Sequence, residues 1–211
     1  MKKTTKVLGA AASAAIFAAG AAVSAPAVQA MDGNTSLASV LDVGNAEFDN
    51  SSKDFDILTK AAEAVLAAKP DSPVALLADG DTALTVFAPT DKAFKNLASA
   101  LAGHNIKSES DAFDAVAGLG IDTVETVLLY HVIPGATVTS DIALESDGAV
   151  LATAAEGKNT KVLVSDAPSI RLRDYAPDFK NAKVILSAVD INKGNMQVAH
   201  GVDAVMLPFA P

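Results

Sequence analysis

The spacing of apolar residues changes character once along this chain. From Asp54 to Lys69, Ile57, Leu58, Ala61, Ala62, Val65 and Leu66 recur at helical spacing, and Pro70 forbids continuation. Ser72-Pro73 supplies an N-cap followed by proline at a first helical position, with Gly80 as the stop of a short helix. Leu84 to Ala88 is a short β-prone run closed by Pro89, and Thr90 or Asp91 caps a following helix that carries Phe94, Leu97 and Leu101. A further helix is expected from Asp111 to Ala117. Asp122-Thr123-Val124-Glu125 has the form of a capping box opening the helix of Leu128, Leu129 and Tyr130, which Pro134-Gly135 ends.

Beyond Gly135 the texture is that of strands. Val150 to Thr153, Lys161 to Ser165, Ile170 to Asp174, Lys183 to Val189 and Gln197 to Leu207 are short runs parted by Gly, Asn, Asp and Pro. Ile170-Arg171-Leu172-Arg173 alternates and should face solvent on one side, whereas Val184 to Val189 is apolar on both faces and should lie centrally in a sheet. Helices come first and strands later, with one early strand at Leu84, so the expected class is α+β and not an alternating parallel sheet. Phe87, Phe94, Tyr130 and Val184 are expected in the core. There is no internal repeat.

The N-terminus belongs to a different kind of sequence. Met1-Lys2-Lys3-Thr4-Thr5-Lys6 precedes an alanine-dominated apolar run from Val7 to Val23, and Val28-Gln29-Ala30 places small residues where a signal peptidase needs them. Residues 1–30 are expected to be a secretory signal peptide of bacterial type, cleaved after Ala30 or alternatively after Ala27. The run is alanine-rich and short of the ~20 strongly apolar residues of a spanning helix, which makes an uncleaved anchor the weaker reading. Met31 to Lys53 is polar, without sustained period, and is expected to be a partly mobile arm. Residues 54–208 are expected to form one domain and 209–211 a short tail without a sorting signal.

Loss of the leader alters the charge picture. Removing Lys2, Lys3 and Lys6 leaves 13 basic against 25 acidic residues, a net charge of −12. Such a balance argues against nucleic acid or anionic lipid as the partner of a basic patch. The chain has no cysteine, which removes disulfides, thiolate ligands, a cysteine nucleophile and a lipidated N-terminal cysteine. A domain of about 180 residues buries roughly 70% of its unfolded surface, so a core can hold it without crosslinks. Asn34-Thr35-Ser36 and Asn50-Ser51-Ser52 match the glycosylation pattern, which matters only in a eukaryotic secretory pathway.

Candidate chemistry is sparse. His200 and Asp203 are three residues apart on an expected strand, which sets them on opposite faces. His104 lies in a probable-turn sequence, Gly103-His104-Asn105. The sequence contains no Gly-x-Ser-x-Gly elbow, His-Glu-x-x-His pair or Ser-x-x-Lys motif. Asp190-Ile191-Asn192-Lys193-Gly194-Asn195 has oxygen ligands in a turn, but its glycine falls one place early for a calcium loop and the twelfth position is Gly201 in place of a bidentate Glu. A turn held by Asn and Asp side chains is the expectation. No catalytic residue, metal site or cofactor is expected, and with 5% aromatic residues a stacking platform is poorly supplied.

Three segments, Thr85-Val86-Phe87-Ala88-Pro89-Thr90-Asp91-Lys92-Ala93-Phe94, Leu129-Tyr130-His131-Val132-Ile133-Pro134-Gly135 and Val198-Ala199-His200-Gly201-Val202-Asp203-Ala204-Val205-Met206-Leu207-Pro208, occur in this order and together resemble the fasciclin-like domain family. The resemblance covers roughly Asp54 to Pro208. It implies a compact β-wedge or sandwich of about seven strands flanked by several helices, and a non-catalytic module for cell adhesion or for contact with an extracellular matrix or envelope macromolecule. The alternative it implies is carriage of a small apolar ligand such as a lipid or pigment. The family's signature positions fall here on Thr85, Phe87, Pro89, Thr90, Asp91, Phe94, Pro134, Gly135, His200, Asp203 and Pro208, as residues that hold the domain together. Tyr130-His131 matches a Tyr-His motif linked in animal members to integrin contact; the competing reading has the ring filling core and the imidazole bonding nearby backbone. Where the family usually has Asn-Gly before the last histidine, this chain has Met196-Gln197, and the turn shifts to Lys193-Gly194-Asn195.

Overall fold

The helical spacing after Asp54 and the strand texture after Gly135 sort into separate layers in the computed structural model, which describes residues 33–43, 46–49, 51–165 and 169–210. The expected leader peptide, Met31, Asn50 and Pro211 lie outside the described residues. Helix α1 (Leu37–Val40) precedes α2 (Asp56–Ala68), a 3-10 turn (Pro73–Ala78), strand β1 (Leu84–Pro89), α3 (Asp91–Ala102), α4 (Glu109–Ala117) and α5 (Ile121–Tyr130). Then follow β2 (Val132–Pro134), α6 (Ser140–Leu144), β3 (Val150–Ala152), β4 (Asn159–Ser165), β5 (Ser169–Arg173), β6 (Ala182–Lys183), a 3-10 turn (Leu186–Ala188) and β7 (Gln197–Val202). The class is α+β, with seven strands among the described residues.

The strands form two sheets. One has the order β2-β1-β7, with β1 antiparallel to β2 and parallel to β7; the other is the antiparallel meander β3-β4-β5-β6. Every residue of β1 and β7 is buried, because each strand has packing on both faces. Val86 and Ala88 face a core built from α2 to α5, while Phe87 points the other way into a core shared with Val162, Ile170 and Leu172 of the meander. The central sheet therefore lies between the helices and the second sheet. Phe87, Phe94, Tyr130 and Val184 are all buried, as expected.

Three local expectations are corrected. Val184 to Val189 is not a central strand: β6 ends at Lys183 on the sheet edge, the chain makes a 3-10 turn, and Leu186 is 51% exposed. The apolar residues there serve the joint between sheets instead, since Val184 donates to Ile170 while bridging Val202. The capping box at Asp122 does not form. Gly120 occupies the cap position of α5, and Asp122 and Glu125 both pair with Lys69. Pro134-Gly135 does not end a helix; α5 stops at Tyr130 and Val132–Pro134 pairs with β1.

Part of the expected arm is fixed in place. Leu37 is fully buried against the helix-side core, and its N–H donates to the buried Gln197 Oε1 at 2.7 Å. Gln197 Nε2 in turn donates to the Leu76 and Asp79 carbonyls. Gly33 makes a parallel bridge to Asn195, and a Cβ on Gly80 would sit 1.8 Å from the Asn34 carbonyl oxygen, so only glycine lets the arm pass. Leu37, Val40 and Leu41 are spaced for a helix, but over a single turn of an otherwise polar stretch, too short a period to announce this contact.

Candidate functional site

The signature residues converge around β1 and the ends of the helices it touches. Tyr130 closes α5 with its ring buried in the core shared with the meander, and its hydroxyl donates to the Asn159 carbonyl at 2.8 Å. Burial and the carboxylate of Asp174 push its pKa up, holding the phenol neutral. His131 is buried too. Its Nδ1 lies 2.7 Å from the Val127 carbonyl, and its Nε2 accepts from the Met206 N–H at 2.9 Å. That pairing assigns the proton to Nδ1 and bolts the end of α5 to the third signature segment. Burial pushes the imidazole down to about 4, so it is neutral at physiological pH. The bonding of His131 to nearby backbone, expected from sequence, is present; neither side chain reaches the surface.

His200 and Asp203 are not brought together. His200, buried in β7, packs on Phe87 with ring centroids 5.9 Å apart, accepts from the Asp190 N–H through Nδ1, and meets the Val138 carbonyl through Nε2 at 2.7 Å. Asp203 faces elsewhere and accepts from the Lys183 N–H and Lys180. The carboxylate nearest His200 is Asp190, 4.0 Å away, and it accepts from the N–H and hydroxyl of Ser140. This makes a serine, an aspartate and a histidine neighbours, yet Ser140 bonds the carboxylate and not the imidazole, so the order needed to activate a nucleophile is missing. Sequence reading missed Asp190 because its link to His200 crosses a turn. That turn, Asp190 to Asn195, is held by side-chain bonds of Asn192 and Asn195, as the sequence suggested.

Asp91 also has a role other than the expected one. Thr90 occupies the cap position of α3 without a side-chain bond, whereas the fully buried Asp91 carboxylate accepts from the Asp56 and Ile57 N–H groups and so caps α2. The Asp54 carbonyl reciprocates by accepting from the Asp91 N–H. Two helix N-termini thus cap each other across a carboxylate pair. Oδ1 of Asp54 is buried without a hydrogen-bond partner among the described residues, and the Asp54 and Asp91 carboxyl groups are close enough to share a proton. Burial first, then the neighbouring Asp54, pushes Asp91 up to about 8. Beside it, Lys95 pairs with the buried Glu109 at 3.1 Å and ties α3 to α4.

The remaining signature positions differ in exposure. Thr85 donates to the Ala136 carbonyl and accepts from the Val138 N–H, Gly135 has φ 77° in the turn after β2, and Phe87, Phe94 and Pro208 are buried. Pro134 is exposed. A shallow apolar crevice of about 50 Å³ opens between α2, α3, α4, α5 and the C-terminal segment, lined by Phe94, Leu97, Leu101, Leu119, Val127 and Phe209.

A family model described as Fasciclin domain matches residues 56–208, which takes in all three signature segments. Among solved structures, the chain is similar to the FAS1 domain pair of the insect cell adhesion molecule fasciclin I, with 15% identity and a TM-score of 0.49 over 70% of this chain. It spans 46% of that chain, less than half its length. A search of the curated proteins returns no match. With the family model covering most of its length, the chain belongs to the fasciclin domain family.

Proposed function

We propose that this chain is an exported, non-catalytic binding module that works by surface contact with an extracellular or envelope macromolecule, in the manner of an adhesion domain. The observation that carries the reading is the use of the signature side chains: Tyr130, His131, His200 and Asp91 are buried and bonded to backbone, which leaves recognition to the exterior. Family membership supports a binding role. The leader features at residues 1–30 support export, and among the described residues no helix is long and apolar enough to cross a membrane. Loss of contact through Tyr130 or His131 would then reflect unfolding, not removal of a recognition pair.

Carriage of a small apolar ligand is the second reading, and the crevice beside Leu101 and Leu119 is its structural basis. Its volume of about 50 Å³, and the about 100 Å³ of the adjoining crevice lined by Ala64, Phe113 and Ile121, each fall well short of the roughly 300–1,000 Å³ of ligand pockets, which weighs toward adhesion. Native mass spectrometry of the protein purified from its own host separates the two. The proposal expects the mass of the processed chain alone, with partners recovered from envelope or medium; a stoichiometric pigment or lipid would replace it with the carrier reading.

A further inference from the structure

The solvent face of the four-stranded sheet carries a cluster of cations. Lys161 in β4 lies directly opposite Arg173 in β5, and Arg171 lies opposite Lys183 in β6. Side chains alternate along a strand, so these four share one face while Val162, Ile170 and Leu172 turn into the core. Lys161, Arg171 and Arg173 are exposed and Lys183 is partly so. The other residues of the described strands on this face are apolar, serine or asparagine, with no carboxylate among them. Arg171 and Arg173 are the chain's two arginines.

Off this face Lys60, Lys69, Lys95, Lys180 and Lys193 each pair with an Asp or Glu, and the described cations without an ion pair, Lys53, Lys92, Lys107 and Lys158, are not set opposite another cation in a sheet. Among the described residues no carboxylate pairs with the four cations of this face, and they alone stand in opposed pairs. Like charges directly opposite on neighbouring strands are destabilising. Lysine on an edge strand can serve to discourage sheet-to-sheet association, but that accounts only for Lys183; β4 and β5 are interior strands. In a protein with 25 acidic residues against 16 basic ones, two adjacent like-charged pairs left without carboxylates call for an anion from outside.

We propose that this face binds a linear, carboxylate-bearing polysaccharide. The assignment rests on the adhesion reading above and names its surface and partner class. Opposed pairs stand about 5 Å apart, and alternate residues along β5 about 7 Å apart, which gives a narrow strip of positive charge. A planar anionic bilayer laid on that strip would also meet the acidic remainder of the surface, while a thin polymer touches only the strip. The guanidinium forks match carboxylates in bidentate geometry. Leu163, cross-strand from Arg171, and the exposed Val150 offer apolar ground for the faces of sugar rings. The strands of this face hold no aromatic ring on which a nucleobase could stack.

The test is titration of the exported chain with polygalacturonate, followed by biolayer interferometry, with neutral dextran as the blank. The natural chain should bind polygalacturonate and not dextran, and four ionic contacts should weaken binding roughly 50-fold between 50 and 200 mM salt. The double variant R171Q/R173Q should lose at least tenfold in affinity with an unchanged melting temperature. K53Q/K107Q, which removes the same charge from exposed positions off the face, should bind like the natural chain. The proposal is overturned by no binding at 50 mM salt, by equal losses in both double variants, or by tighter binding to single-stranded DNA or phosphatidylserine vesicles. It is also overturned if sedimentation shows a self-association that R171Q/R173Q abolishes, since the occupant is then a second copy. If R171Q/R173Q retains the natural chain's hold on envelope material, the adhesion reading survives and this surface does not.

Discussion

Tyr130 and His131, a conspicuous polar pair open to two readings in the sequence, are buried side by side at the end of α5. A side chain that recognises a partner must be reachable, and both are closed off, with the imidazole bonded to backbone at each nitrogen. Nearby Phe94 is buried in the helix-side core, and Phe94→Ala should cost about 3–5 kcal/mol of stability, read by chemical denaturation. Two buried titrating groups give the stability curve its shape. His131 is lowered to about 4, so its contribution is present above pH 6.5 and is lost as pH falls toward 4. Asp91 is raised to about 8, so the proton it holds favours the folded state at low pH and that benefit is lost as pH rises through 8. Between pH 7.5 and 8.5, above the range in which the linkage of His131 and His200 acts, the Asp91 effect remains: melting temperature should fall, by the equivalent of roughly 0.5–1 kcal/mol. Asp54→Asn offers Asp91 an amide donor at every pH and should flatten that slope. A slope unchanged in the variant would show that another group titrates there.

At the scale of elements, strong local signals were legible and long-range ones were not. The helix from Asp56 to Ala68 follows directly from its apolar spacing, and β4 and β5 follow from alternation. The class and the three signature segments were readable for the same reason. The cap that Asp91 places on a helix 34 residues earlier, the bond from His200 to Val138 and the seat of Leu37 against Gln197 join distant residues, and no local period encodes them. Val184 to Val189 misled because a segment joining two sheets is apolar on all sides without being a strand in the middle of either. The seated arm makes its own prediction: Leu37→Ala should cost about 2–5 kcal/mol, and limited proteolysis should leave a resistant fragment that retains Leu37. A fragment of full stability beginning after Lys53 would show that the arm contributes nothing.

For the molecule as a whole, helices, a central sheet whose β1 and β7 are wholly buried and an outer meander leave two exteriors: a helical side with an apolar crevice and a cationic sheet face in a net acidic chain. The buried signature residues sit where these layers meet, and the proposed binding role is assigned to the outside. Processing after Ala30 would lower the net charge from −9 to −12 and leave Gly33 only two residues from the new N-terminus, so that the arm docks soon after the processed chain begins. The most direct test is to measure how much of the chain, recovered from its native host by fractionation, co-sediments with envelope or extracellular material, with its mass read in the same sample. The account predicts saturable association of a chain that begins at Met31. A chain found only in the cytoplasm with residues 1–30 attached, or one exported but bound to nothing, would contradict it.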